Sequence, residues 1–392
     1  MSEGFRRVLG LNRIAVGNAI LLGSLAMVLP IYPFLTQEAG GSLAVFQKMT
    51  ALMYFTQLLI LPLGGELIDR FAQTRLSLIA GALLLAGSFV APWLVHSVPV
   101  LYAARAVEGI ALGLFTPAAG IAVMNGRQGK AGELYGRFHG LRNIARIGAP
   151  AVGSFVAGLY GKWNTLLVAA GLTLLIAAAI AASPGQRAAR RDRRPAAKGL
   201  RRLPELRLAG ARILTTTVQG LLQPVIPYVL QNSFGVRDSS VGYMYSIAGV
   251  LALTMPVYFG RIADRRGEGT PIVALSSIGT VALLGLAAAR QLPVLVLLFG
   301  IGMGVTVSAT SISHSMAVEM AGDHRQGSVL ARVEFAGTVG RVIGPLLGVP
   351  VYARFGWTGI CVAGAVSSLL IGVLLFASIG MVARVPEPEL TT

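Results

Sequence analysis

The feature that most constrains this chain is a short stretch that occurs twice. Gly65-Glu66-Leu67-Ile68-Asp69-Arg70 returns as Gly260-Arg261-Ile262-Ala263-Asp264-Arg265, an offset of 195 (260 − 65) in a chain of 392 residues. Gly109 with Gly304, Arg137 with Arg332, Arg146 with Arg341, Pro150 with Pro345, Gly153 with Gly348 and Gly161 with Gly356 keep that offset. Pro30, Pro33 and Pro62 meet Pro224, Pro227 and Pro256 at 194 (224 − 30), so one small insertion separates two registers. A period of half the chain restricts the fold to two halves of like construction.

The medium in which those halves fold follows from composition. The chain is 54% hydrophobic and 12% charged, with mean hydropathy +0.70, whereas a soluble domain carries about 25% charge. A spanning helix needs about 20 mostly apolar residues. The sequence accommodates twelve of them, at roughly 13–36, 46–68, 76–96, 99–124, 134–159, 163–182, 208–231, 240–262, 270–289, 293–319, 328–353 and 357–382. Two hydrophobic, duplicated halves are the plan of a membrane transporter. The expected fold is therefore all-α. Residues 1–182 and 208–392 form the two six-helix bundles, and 183–207 form a basic linker between them.

The net charge of +17 is topological. With the N-terminus inside, 5 of the 33 Lys and Arg lie at outer segments (Lys48, Lys162, Arg237, Arg290, Arg354) and 4 lie deep in spans (Arg105, Arg142, Arg146, Arg341), leaving 24 at the inner side. That is the positive-inside asymmetry, and it sets both termini in the cytoplasm. The linker arginines (187, 190, 191, 193, 194, 201, 202 and 207) have no interleaved aromatics and abut a membrane. They read as an orientation signal facing anionic lipid, with no nucleic-acid partner. Cys361 is the only cysteine and excludes an intrachain disulfide. The first apolar run is too long for a signal-peptide core and reads as a retained span. The absence of Asn-x-Ser/Thr sequons, the short outer loops and the preference for Arg over Lys fit a bacterial cytoplasmic membrane.

Charges inside spans carry the functional signal, because a charge in hydrocarbon costs at least about 2.5–3.5 kcal/mol. Span 4 holds Arg105 and Glu108 in Arg-Ala-Val-Glu-Gly-Ile-Ala-Leu-Gly, and the repeat sets Arg105 against Gly300, so the fold itself does not require this charge. Span 5 holds Arg137, His139, Arg142 and Arg146, the last two one helical turn apart on one face. At 1.5 Å per residue, Glu108 and Arg146 sit about 13 and about 20 Å below the outer boundary. Glu108 is the expected titrating carboxylate, with Arg105 or Arg146 as its partner. Asn18, Tyr54, Gln57, Arg105, Arg142, Arg146, Gln219, Gln223, Thr310, His314 and Arg341 are the expected cavity residues; His314 is either a second titrating group or an interfacial residue. Prolines end spans 1 and 7 in kinks near the outer surface, where Tyr32 and Tyr228 are candidates for an outer gate.

These motifs resemble the major facilitator superfamily, and within it the twelve-span proton-linked exporter branch. The resemblance rests on Gly65, Asp69 and Arg70 after span 2, and on Gly260, Asp264, Arg265 and Gly267 after span 8. Arg105 with the following glycines, and Gly148, Pro150 and Gly153 at the end of span 5, extend it. Ala72 and Gln73 depart from the first motif, Glu268 from the second, and Ala149 and Ser154 from the antiporter-like one. The resemblance implies two bundles that rock about a central cavity, driven by a proton gradient without a bound cofactor. It places Asp69 by Arg332 and Glu334, and Asp264 by Arg137 and His139, as a cytoplasmic gate. The excess of arginine over acid in the spans implies a small anionic or zwitterionic substrate and an exporter working as a monomer. A facilitator, an importer and a lipid-headgroup transporter of the same fold are the alternatives. An enzyme would need a catalytic constellation, and a sensor or scaffold an appended soluble domain; neither pattern is in the sequence.

Overall fold

The computed structural model describes residues 13–71, 74–124, 131–182, 202–321 and 326–382. Among them the regular structure is α-helix apart from one 3-10 turn at Asp238–Ser240. The helices are α1 (Arg13–Val28), α2 (Tyr32–Glu38), α3 (Leu43–Phe71), α4 (Thr74–Leu94), α5 (Val98–Met124), α6 (Ala131–Tyr160) and α7 (Lys162–Ala182). They continue with α8 (Arg202–Leu222), α9 (Ile226–Phe234), α10 (Val241–Arg266), α11 (Gly269–Ala288), α12 (Leu292–Ala321) and α13 (Gln326–Val382).

Proline breaks spans 1 and 7, because it has no N–H to give and its ring crowds the preceding turn. Around Pro30 the chain turns by 45° between α1 and α2, and around Pro224 it passes from α8 to α9. Glycine makes the turn between spans 5 and 6 and its repeat between spans 11 and 12. Gly161 (φ 90°) separates α6 from α7, and Gly356 (φ 60°) bends α13. A side chain at either place would sit in the left-handed region that residues with a Cβ avoid.

Nine helices among the described residues are long and apolar enough to cross a membrane, or ten when α1 and α2 count as one bent span. One of the nine is the 48-residue stretch Arg332–Ile379 of α13. At 1.5 Å per residue it is more than twice the thickness of a hydrocarbon core, and its bend at Gly356 makes it two spans. α6 completes twelve: it is 30 residues long, and Arg142 and Arg146 dilute its apolar character. The result is an all-α, multi-pass membrane protein with two six-helix bundles. Leu59, Leu76, Leu175, Phe155, Val281 and Phe376 are exposed on its outside, as lipid-facing residues must be.

The chain divides into two compact units. One is Met1–Pro195 with Gly235–Ser246, and the other is Ala196–Phe234 with Ile247–Thr392. In lipid the bundles cannot rely on water to drive apolar surfaces together, so small residues and hydroxyl contacts hold the helices. In the first unit, a Cβ on Gly109 would lie 2.0 Å from both the Met53 carbonyl oxygen and Thr56 Oγ1, so α5 rests directly on α3. Thr56 donates to the Ala106 carbonyl at 2.9 Å, and Ser24 and Thr173 share a hydrogen bond of 3.0 Å. Gly153 presses α6 against the Met27 carbonyl of α1.

The second unit repeats these devices with one change of register. Gly344 meets Gly220 and the Thr217 carbonyl, as the small residues of α6 meet Gly23. On α12, however, it is Gly300 that approaches Ala248 and Leu251, residues 195 beyond Met53 and Thr56. Gly300 thus takes the place of Gly109, one turn away from the 195-residue offset. Val296, rather than Gly300, stands where Arg105 stands. Gly260 is exposed, and a Cβ placed on it would meet no atom within 4 Å, whereas Gly64 lies against the Gly113 carbonyl.

Candidate functional site

Among the described residues, each unit holds a cluster of charge within its helices. In the first, the break at Pro30 lets α2 re-enter with Tyr32 facing α5. Tyr32 Oη donates to Glu108 Oε1, and Arg105 Nη1 donates to Glu108 Oε2 at 2.6 Å. Arg105 and Glu108 share a helix face because they are three residues apart. The Arg105 guanidinium also lies over the Tyr32 ring, 4.4 Å from its centroid, and 5.9 Å from that of Phe46. All three polar residues have 0% exposure. Phe46, beside Arg105, is also buried. Arg105 Nε and Nη2 have no hydrogen-bond partner, so the guanidinium has two donor positions left over.

Of the two partners considered for Glu108, the structure brings Arg105 to it. Arg146 is exposed on α6, and the half-buried Arg142 lies one turn away. Tyr32 was considered as an outer-gate residue; its hydroxyl is instead committed to Glu108. Tyr228 packs edge-on against Tyr352, with ring centroids 6.1 Å apart. Asn18 and Gln57 are buried, and both amide atoms of Asn18 and Oε1 of Gln57 have no hydrogen-bond partner. Tyr54 is half-buried on α3.

The second cluster centres on Glu334 of α13. Its Oε1 accepts from Arg212 Nη2 at 3.1 Å and lies 2.8 Å from His314 Nε2, and its Oε2 faces Arg341 Nη2 at 3.8 Å. Arg212 Nη1 donates to Thr310 Oγ1 at 2.5 Å. Further along, Gln219 Nε2 donates to Thr306 at 3.2 Å, and Gln223 is half-buried beside the helix break. His314 and Arg341, expected as separate cavity residues, thus face one carboxylate, and Thr310 is joined to it through Arg212.

The cytoplasmic-gate residues behave differently. Arg332 Nη1 pairs with Glu205 at 3.1 Å, and Glu334 belongs to the cluster just described. Arg265 is exposed. The side chains of Gly65, Asp69, Arg70, Arg137, His139 and Asp264 lie outside the described residues. In the antiporter-like stretch, Gly153 is a packing contact and Gly148 is exposed with open space around it. Pro150 is buried; its carbonyl lies against Gly242, and Ser246 Oγ donates to the neighbouring Ile147 carbonyl at 2.6 Å while accepting from Ala151 N–H at 3.0 Å.

Two residues were missed in the sequence. Tyr32 was read only by its proline neighbours. Arg212 was counted among inner-end charges, although it lies four residues inside the expected span 7. The repeat contained a signal for it: Arg212 lies 194 beyond Asn18 (212 − 18), itself a buried polar residue of the first span. Among the described residues no group of three or more His, Cys, Asp or Glu could hold a metal.

Comparison with known proteins agrees with this architecture. Over 158 residues the chain is 27% identical to human solute carrier family 67 member A1 and 28% identical to rat solute carrier family 22 member 18. Each match covers 40% of this chain and only 37% and 38% of the relatives' own lengths. Among solved structures, a peptide transporter of the POT type in complex with sulfate superposes with a TM-score of 0.77 at 14% identity, covering 96% of this chain and 95% of that one. A D-xylose–proton symporter gives 0.76 at 15% identity, covering 93% and 96%. The human organic anion transporter MFSD10 gives 0.68 at 19% identity, covering 94% and 99%. At such identities these likenesses establish the fold alone. The sequence profile of the Major Facilitator Superfamily matches twice in succession, over residues 14–209 and 208–391. The duplicated twelve-span chain accordingly belongs to the Major Facilitator Superfamily of membrane transporters.

Proposed function

We propose that this chain is a proton-coupled antiporter of a bacterial cytoplasmic membrane, with both termini in the cytoplasm. It exports a small anionic or zwitterionic organic metabolite, siderophore or drug by alternating access. The observation that carries this reading is the Tyr32–Arg105–Glu108 trio together with its absence from the other half. By helix contact the positions equivalent to Arg105 and Glu108 are Val296 and Phe299, and at the 194-residue offset of the prolines Tyr32 matches Ile226; all three are buried. At the 195-residue offset, Arg105 and Glu108 match Gly300 and Met303, again uncharged. Apolar replacement of a buried ion pair is often neutral or stabilising by about 1–4 kcal/mol. A bundle of this design therefore does not need the charges, and their retention in one half points to use.

The use follows from the bonding. Glu108 as a carboxylate holds Tyr32 of α2 and Arg105 of α5 together. A proton on Glu108 removes the charge that attracts the guanidinium and turns one acceptor oxygen into a donor. Arg105 then becomes available to an anionic substrate, and the contact between α2 and α5 loosens. The Glu108 carboxylate and an anionic substrate compete for the same guanidinium, and this links protonation of Glu108 to substrate binding. The cytoplasmic aspartates Asp69 and Asp264 would latch the inner side in the outward-open form.

The test is flux in proteoliposomes with and without an imposed pH gradient. A gradient-driven exchange in the native protein, and flux indifferent to the gradient in Glu108→Gln, are the expected results. If the variant keeps its full response to the gradient, Glu108 has no part in coupling. Uptake in the opposite sense would make the protein an importer.

A further inference from the structure

We infer that Arg212, His314 and Arg341 form an oxyanion-binding subsite in the second unit, and that Glu334 is its tethered occupant when no ligand is bound. This rests on the transporter reading above and specifies where the anionic group of the substrate would be held.

The first ground is convergence. One carboxylate gathers basic side chains from three helices, Arg212 of α8, His314 of α12 and Arg341 of α13, at 3.1, 2.8 and 3.8 Å. The second is donor chemistry. The guanidinium groups of Arg212 and Arg341 carry N–H donors and no acceptor, the complement of an oxyanion.

The third ground is that the cradle is built. Arg212 is 4% exposed and pinned at its far end by Thr310. Its guanidinium lies across Gly337, where a Cβ would come within 2.9 Å of Nε and 3.3 Å of Cζ. Gly337 lies between Glu334 and Arg341 on the same face of α13, so the helix is pared down where the arginine crosses it. The fourth is access. The side chains of Glu334, Arg341 and His314 keep 36%, 23% and 21% exposure. A ligand can therefore reach the donors that Glu334 engages, while Arg212 stays fixed behind them. A carboxylate, phosphate or sulfonate of the substrate would displace Glu334 and take over its bonds. The apolar pocket lined by Thr215, Ile272, Val305 and Ile371 has no ionisable residue in its lining and is a separate feature.

The experiment is thermal unfolding of the full purified chain in an uncharged detergent at constant ionic strength. The probes are benzoate, inorganic phosphate, added phosphatidylglycerol, and tetraphenylphosphonium as a cationic control. Benzoate or phosphate should stabilise the native protein saturably. Glu334→Gln should lower the half-saturating concentration about fivefold or more, because removing a tethered competitor raises the fraction of binding-competent sites. Arg341→Gln should abolish the stabilisation. Stabilisation by phosphatidylglycerol alone would assign the site to a lipid headgroup and overturn the substrate assignment. So would weaker anion binding in Glu334→Gln, a Glu334-dependent response to tetraphenylphosphonium, or no response in the native protein. Should Glu334→Gln fail to fold, Arg341→Gln decides, since unchanged benzoate stabilisation in it refutes the site. Anion binding with no gradient-driven flux would instead sink the antiporter reading and leave this subsite standing.

Discussion

Transplanting the second unit's residues into the first would separate what the buried trio does for stability from what it does for transport. The perturbation is Glu108→Gln alone, then Tyr32→Ile, Arg105→Val and Glu108→Phe together, which reproduces Ile226, Val296 and Phe299. In Glu108→Gln the guanidinium at 0% exposure loses a charged hydrogen bond of 2.6 Å. It cannot shed its own proton. Breaking a buried pair from one side costs about 3–5 kcal/mol. The Tyr32 ring lies beneath Arg105 in both proteins, so that contact does not offset the loss. The expectation is a loss of about 3–5 kcal/mol.

The triple variant removes charge and counter-charge together. It should lie within about 1–3 kcal/mol of the native protein, the remaining loss being imperfect packing of the new side chains. Equilibrium unfolding by SDS titration in mixed micelles measures both. The reasoning fails if Glu108→Gln costs under about 1 kcal/mol, because Glu108 would then not be the counter-ion that keeps Arg105 buried. It also fails if the triple variant is less stable than the single one.

Three further substitutions test the packing and the tether of residues 235–246. Gly109→Ala puts a methyl group 2.0 Å from the Met53 carbonyl and should cost about 1–3 kcal/mol or more. Gly148→Ala, with open space around it, should be neutral or stabilising by up to about 1 kcal/mol; equal effects of the two in the same unfolding assay would refute the contact between α3 and α5. Lys162 bridges Glu38 and Asp238 at 2.5 Å each, with side chains 20%, 41% and 26% exposed. Solvent screening leaves such pairs worth about 1 kcal/mol or less, so Lys162→Gln should barely change global stability. It should nevertheless speed amide hydrogen exchange in residues 235–246, which belong to the first unit, and unchanged exchange there would remove Lys162 as their tether.

The sequence by itself determined the membrane, the duplication and most helix ends. Those properties depend on composition and short-range chemistry: apolar length, prolines that cannot continue a helix, and the two turn glycines Gly161 and Gly356. It also exposed Arg105 and Glu108, because charge in an apolar run is visible without any partner. Tertiary structure decided the rest. Periodicity tells which residues share a face of one helix but not how far that helix slides against its neighbour. Gly300 and Gly304 are one turn apart, as are Gly109 and Gly113, so only contact could choose the register of α12. Tyr32 reached Glu108 across 76 residues and Arg212 reached Glu334 across 122. Such meetings are set by where two separately formed helices come to rest.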